Sequence, residues 1–156
     1  MNSIHFLKRK EIDDHKWDDC IGSSSNSLPY AFSWYLDSVA ENWDTVVLGD
    51  YETVMPLVWL RKFGIKCLYH PYYCQQLGVF GSDLGKKAQR ELANYITQHF
   101  SYISINLNPV SQIIACILLN NAIKQKMRGT GTFSFCTGSI NNINQSLLME
   151  DNHRSG

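Results

Sequence analysis

Hydrophobic and polar positions change their period several times along the chain, and each change marks an element. Residues 4–7 read as a short opening strand. Over residues 13–21 acidic side chains occupy the first turn, where the helix dipole favours them, and Trp17 and Ile21 share a face, which predicts a helix. A serine-rich loop at 22–27 follows. Pro29 then leads into a second short helix through Trp34, Leu36, Val39 and Ala40, with Trp43 closing it against the core. Residues 45–48 and 53–60 are β-rich and separated by Gly49-Asp50-Tyr51-Glu52, the spacing and turn chemistry of a hairpin. A second turn at Lys62-Phe63-Gly64 feeds a strand over 65–69, completing an antiparallel three-stranded meander.

Leu77-Gly78-Val79-Phe80 supplies a further short strand. From 86 to 100 the positions Ala88, Leu92, Tyr95, Ile96 and His99/Phe100 recur at helical spacing, and 101–107 alternates as a strand until Asn108-Pro109 ends it. Strands, then helix, then strand describe a mixed α+β domain without internal repeats. The longest uninterrupted apolar run, 113–119, falls far short of the roughly 20 residues that cross a bilayer. Near the N-terminus the basic cluster Lys8-Arg9-Lys10 follows a very short apolar stretch, the reverse of a secretory signal, so a cytoplasmic protein without a membrane span is expected.

Composition adds a core and removes extremes. In 156 residues, 44% hydrophobic and 12% aromatic content fill one domain's interior and exclude disorder. Fourteen Lys+Arg balance fourteen Asp+Glu, but unevenly. Residues 1–52 hold four basic against ten acidic side chains, whereas 53–128 hold nine against two. That basic middle suits an anionic ligand such as a nucleotide or CoA phosphate, or simply solvates helix and strand surfaces. Without interleaved Arg/aromatic repeats it is slim support for a nucleic-acid-binding module.

No G-x-S-x-G, H-E-x-x-H, full Walker loop or paired-carboxylate signature is present, and the five cysteines are odd in number and irregularly spaced, which suggests neither a disulfide framework nor a metal site. Cys67 and Cys116 lie in apolar patterns and read as small core residues. Cys74 lies in Pro71-Tyr72-Tyr73-Cys74-Gln75-Gln76, where a reactive thiol is conceivable but no base stands nearby in sequence. Tyr30, Trp34, Tyr35, Tyr69, Tyr72 and Tyr73 concentrate around two loops, as core anchors or as a ligand cradle. Gln75 and Gln76, adjacent amides at a strand start, point to opposite faces, so one should reach a backbone partner or a cleft. Lys126-Met127-Arg128-Gly129-Thr130-Gly131 approximates the pyrophosphate loop of acetyltransferases, with Lys126, Arg128, Gly129 and Gly131 as its candidate cofactor-binding residues; otherwise it is a Gly/Thr turn.

The ordered set Tyr30-Ala31-Phe32-Ser33-Trp34-Tyr35-Leu36-Asp37, Trp43-Asp44, Asp50-Tyr51-Glu52-Thr53-Val54-Met55-Pro56-Leu57 and Gln75-Gln76-Leu77-Gly78-Val79-Phe80 resembles the N-terminal half of GNAT-like proteins of the FemAB-like branch, most of all members from Bacteroidetes. The likeness covers residues 3–109. It implies a GNAT-like fold, a mainly antiparallel mixed sheet with flanking helices, as the first half of a duplicated architecture whose second half carries the acyl-donor site. It also implies an N-acyltransferase that moves an acyl or aminoacyl group from acyl-CoA or aminoacyl-tRNA, used as a co-substrate and not a tightly bound cofactor, to an amine. A small molecule or a peptidoglycan precursor is the acceptor so implied. Trp34, Tyr73, Gln75 and Gln76 are then expected in the acceptor cleft, with Arg61 and Lys62 as anion contacts and no catalytic base assigned. The alternative is a non-catalytic module that binds a substrate or partner. The family pattern stops near Met127, so residues 3–127 read as the half-domain and 128–156 as an atypical end, truncated or frame-altered. Sheet edges left by a missing half would favour a homo-oligomer.

Overall fold

The computed structural model describes residues 4–82 and 84–127. Its strands are β1 (Ile4–Lys8), β2 (Asn42–Leu48), β3 (Thr53–Lys62), β4 (Ile65–Tyr69), β5 (Phe80–Gly81) and β6 (Tyr102–Ser104), and its helices α1 (Asp14–Ser23), α2 (Ser33–Val39), α3 (Lys86–His99) and α4 (Gln112–Met127). The strands form one open sheet in the order β1-β2-β3-β4-β6, with β5 also paired to β3. The fold is mixed α+β, with every strand pair antiparallel except β4–β6, which runs parallel. Among the described residues no helix is long and apolar enough to cross a membrane.

Alternation along β2 and β3 sends their side chains to two separate cores. Val46, Leu48, Met55 and Leu57 meet Leu68, Ile103 and the inner stripes of α3 and α4, while Trp43, Val47, Val54 and Val58 meet Trp17, Ile21 and Leu36 on α1 and α2. Each fully buried side chain of this kind contributes about 1.5–3 kcal/mol. Local bonds set the helix positions. Asp13 caps α1 by accepting from the backbone N–H groups of His15 and Lys16, and Asp18 accepts from both the backbone N–H and the hydroxyl of Ser33, tying the start of α2 to α1. Trp17 Nε1 donates to the Ala31 carbonyl at 2.8 Å, so the buried indole is satisfied.

The meander, α1, α2 and α3 follow the hydrophobic pattern. Three features differ from it. Trp43 is a buried residue of β2, which starts at Asn42. The strands expected over 77–80 and 101–107 are shorter, joined instead by a single bridge between Leu77 and Leu107. Residues 112–127 form a helix that periodicity does not reveal, because its apolar residues occur on all sides; among its described side chains only Ile114 and Leu118 are fully buried. Among the described residues Cys20 is the core cysteine, whereas Cys67 and Cys116 are half-buried: of the residues on its face of β4 only Tyr69, not Cys67, packs against the α1/α2 core, and Cys116 stands on a flank of α4. The expected C-terminal segment 128–156 lies outside the described residues.

One irregularity organises the rest. β4 and β5 lie along the same side of β3, yet between the pairs Trp59–Leu68 and Val54–Phe80 β3 advances from 59 to 54 while its neighbour runs from 68 to 80. The excess is taken up by residues 70–76, which leave the sheet and return.

Candidate functional site

The excursion opens between the two parallel strands. Cys67, Leu68 and Tyr69 pair with Tyr102, Ile103 and Ser104; then the β4 chain departs and rejoins at Leu77, opposite Leu107. The opening is bridged by His70 and Asn106. The backbone N–H of Asn106 donates to His70 Nδ1 at 3.4 Å, and His70 Nε2 lies 2.7 Å from the Cys74 carbonyl oxygen. A carbonyl can only accept and an amide N–H can only donate, so both contacts are satisfied by a neutral imidazole protonated at Nε2. Burial lowers the His70 pKa from its ordinary value, partly offset by the bond to the Cys74 carbonyl, which agrees with that neutral form. Asn106 completes the bridge: its side-chain amide donates to the Gln75 carbonyl at 3.4 Å, and its own carbonyl accepts from Leu77 N–H at 2.9 Å.

Below the opening the chain is held by a buried polar cluster. Ser111 Oγ donates to Asn108 Oδ1 at 2.6 Å and accepts from Val79 N–H at 2.9 Å, while Asn108 Nδ2 and Asn26 Nδ2 both donate to the Val79 carbonyl. Gly78 makes this possible. Its φ is +146°, and a Cβ there would stand 2.5 Å from both Asn108 Oδ1 and Ser111 Oγ.

Aromatic rings gather on the outer side. Tyr35 packs edge-on against Trp34 and Tyr30, with centroids 5.6 and 5.7 Å away, and its hydroxyl donates to the Tyr73 carbonyl at 3.0 Å. The Tyr35 phenol titrates above its ordinary value, first through burial and then through Cys74 and Tyr30 nearby. Tyr73 adopts a left-handed backbone, φ 67°, and with Tyr72 projects into solvent; Trp34 is 60% exposed. Tyr69 faces the α1/α2 core and its hydroxyl accepts from Glu41 N–H.

Of the residues expected in an acceptor cleft, Trp34 and Tyr73 are therefore brought together through Tyr35. Gln75 is tied in by its backbone carbonyl and exposes its side chain, while Gln76 is half-buried. Arg61 and Lys62 sit elsewhere, on the β3–β4 turn at the opposite end of β4. Cys74 is no nucleophile as it stands, because burial pushes its thiol up to about 11 and His70 contacts its carbonyl, not its sulfur. Lys126 falls in the final turn of α4, and Arg128, Gly129 and Gly131 lie outside the described residues. His70 and Asn106 escape sequence reasoning because their pairing spans 36 positions; the only local sign is a histidine immediately before a proline.

Compared with protein-family models, curated proteins and solved structures, the chain matches none.

Proposed function

We propose that the chain is a GNAT-like, FemAB-related N-acyltransferase domain that moves an acyl or aminoacyl group from acyl-CoA or aminoacyl-tRNA to an amine, with the aromatic side of the opening receiving the acceptor. The observation that carries this reading is the parallel pair β4–β6 parting at 70–76 in an otherwise antiparallel sheet. At that opening the Asn106 N–H is occupied only by the long 3.4 Å bond to His70. An incoming acyl carbonyl can displace the imidazole and take the N–H as an oxyanion donor. The amine nitrogen attacks the carbonyl carbon, the carbon–sulfur bond (or the tRNA ester bond) breaks, and the ammonium proton leaves to water or the departing group. Such chemistry rests on positioning more than on a dedicated base. Trp34 and Tyr73 would line the acceptor's approach, with Gln75 and Gln76 at its rim.

Titration calorimetry with acetyl-CoA and CoA tests the donor half: saturable heat is expected, and silence at about millimolar ligand removes donor binding by this chain. A second reading, a non-catalytic module that binds the acceptor or a partner, is favoured by one fact. Among the described residues of the opening, Cys74 is held protonated and both His70 nitrogens are engaged, so neither offers an ionised nucleophile or a free base. Acceptor amines that bind without any response to CoA would select that reading.

A further inference from the structure

The opposite end of β4 carries a different feature. β2 stops pairing with β3 at Trp59, and on the other side the last bond to β4 runs from Ser101 N–H to the Lys66 carbonyl, so Leu60–Lys62 and Ile65 project beyond the sheet as a short two-stranded ribbon. The ribbon turns on Phe63 and Gly64, whose φ values of 52° and 78° belong to a type I′ turn. Such turns favour Asn-Gly, because both central residues are left-handed and a bulky side chain is disfavoured there. Phe63 nevertheless stands at the tip, 92% exposed, and Ile65 beside it is 47% exposed. Nothing within the described molecule repays that placement.

The chemistry around the tip has one sign. Residues 53–82 contain Arg61, Lys62 and Lys66 and no carboxylate. Lys66 is neutralised by Asp44 at 3.2 Å, whereas Arg61 and Lys62 are exposed and form no ion pair among the described residues. Behind the tip runs a mainly apolar groove of about 660 Å³, lined by Leu60, Lys62, Phe63, Ile65, Tyr69 and Tyr102 among others. An exposed aromatic at the apex, aliphatic surface behind it and unpaired cations on its flanks match the layered chemistry of a membrane interface, with phosphates outside and acyl chains within. A single-stranded nucleic acid could stack a base on Phe63 and use the two cations, but it would leave Ile65 and the apolar groove behind the tip uncovered.

We propose that the β3–β4 tip docks this chain onto an anionic lipid surface, Phe63 inserting at the level of the headgroups while Arg61 and Lys62 contact lipid phosphates. This goes beyond the acyltransferase reading and does not depend on it. Co-sedimentation of the full chain with vesicles of phosphatidylcholine alone, or with about 30% phosphatidylglycerol, tests it. Binding is expected to the anionic vesicles and not to the neutral ones, and to be lost at about 0.5 M NaCl. Phe63→Asn and the double variant Arg61→Gln/Lys62→Gln should each weaken it about fivefold or more, whereas Phe63→Trp should retain binding and show blue-shifted emission on the vesicles. Phe63→Asn installs the favoured turn pair, so its fold survives, and an unchanged or raised urea midpoint verifies that. The proposal is overturned by wild-type protein that ignores anionic vesicles, by equal binding to neutral ones, or by Phe63→Asn binding like wild type. Tighter binding to single-stranded DNA than to vesicles would also overturn it, as would a dimer in light scattering that Phe63→Asn abolishes.

Discussion

The two ends of β4 present the same anomaly under different support. At one end Phe63 has a left-handed backbone and a side chain almost wholly in water; at the other Tyr73 does too, with φ 67° and 86% exposure. Tyr73 belongs to a segment whose backbone is tied down by Tyr35, His70 and Asn106. Phe63 has only the two-residue turn that it occupies. Strain held by long-range bonds is part of the architecture, whereas strain supported by nothing internal points outward, to what the surface meets.

The comparison breaks most visibly at Gly78. Gly78→Ala places a methyl against two buried oxygens in a left-handed conformation and should cost about 3 kcal/mol, read as a lowered urea midpoint. If that variant were as stable as wild type, the Asn108–Ser111 cluster would not be holding the excursion. Next comes the histidine. His70→Ala removes both bridging bonds and should cost about 2 kcal/mol at neutral pH. Because the folded-state pKa of His70 is lowered, its contribution is complete above the unfolded value of about 6.5 and is lost as pH falls through the lower folded value. Urea midpoints of wild type should therefore drop on acidification across that window, and those of His70→Ala should drop less; parallel curves would exclude the imidazole as the cause.

A smaller effect is expected at Tyr35→Phe, where one hydroxyl bond to the Tyr73 carbonyl disappears at a cost of about 1 kcal/mol. Faster amide exchange confined to residues 72–76 would locate the loss, and unchanged exchange there would deny Tyr35 its tethering role. Smallest, and opposite in sign, is Phe63→Asn, which should raise stability by up to about 0.5 kcal/mol. Destabilisation instead would mean that Phe63 serves the fold, and the contrast between the two ends would vanish.

What the chain discloses in advance tracks how local its physics is. β2 through β4 are legible because alternation and the turns at Gly49-Asp50 and Phe63-Gly64 act within a few residues. α3 is legible because one stripe, Leu92 and Ile96 among it, is buried against a polar opposite face. α4 is not, since a helix apolar on every side has no period to detect. The candidate site divides the same way. Trp34 and Tyr73 stand out by composition, but their meeting through Tyr35, the imidazole bridge to Asn106 and the remoteness of Arg61 and Lys62 follow from strand register, which no local pattern carries.

The register of β3 also says something about residues 70–76 as a unit of change. The pairs Trp59–Leu68 and Val54–Phe80 differ in offset by the length of this excursion, so joining Tyr69 directly to Leu77 would carry β4 into β5 with every partner on β3 unchanged. The ladder is indifferent to what the segment contains. It is an insert on a finished sheet whose length can change without shifting the alignment of the framework beneath, while the bonds it makes through His70 and Tyr73 set how firmly any such insert is held.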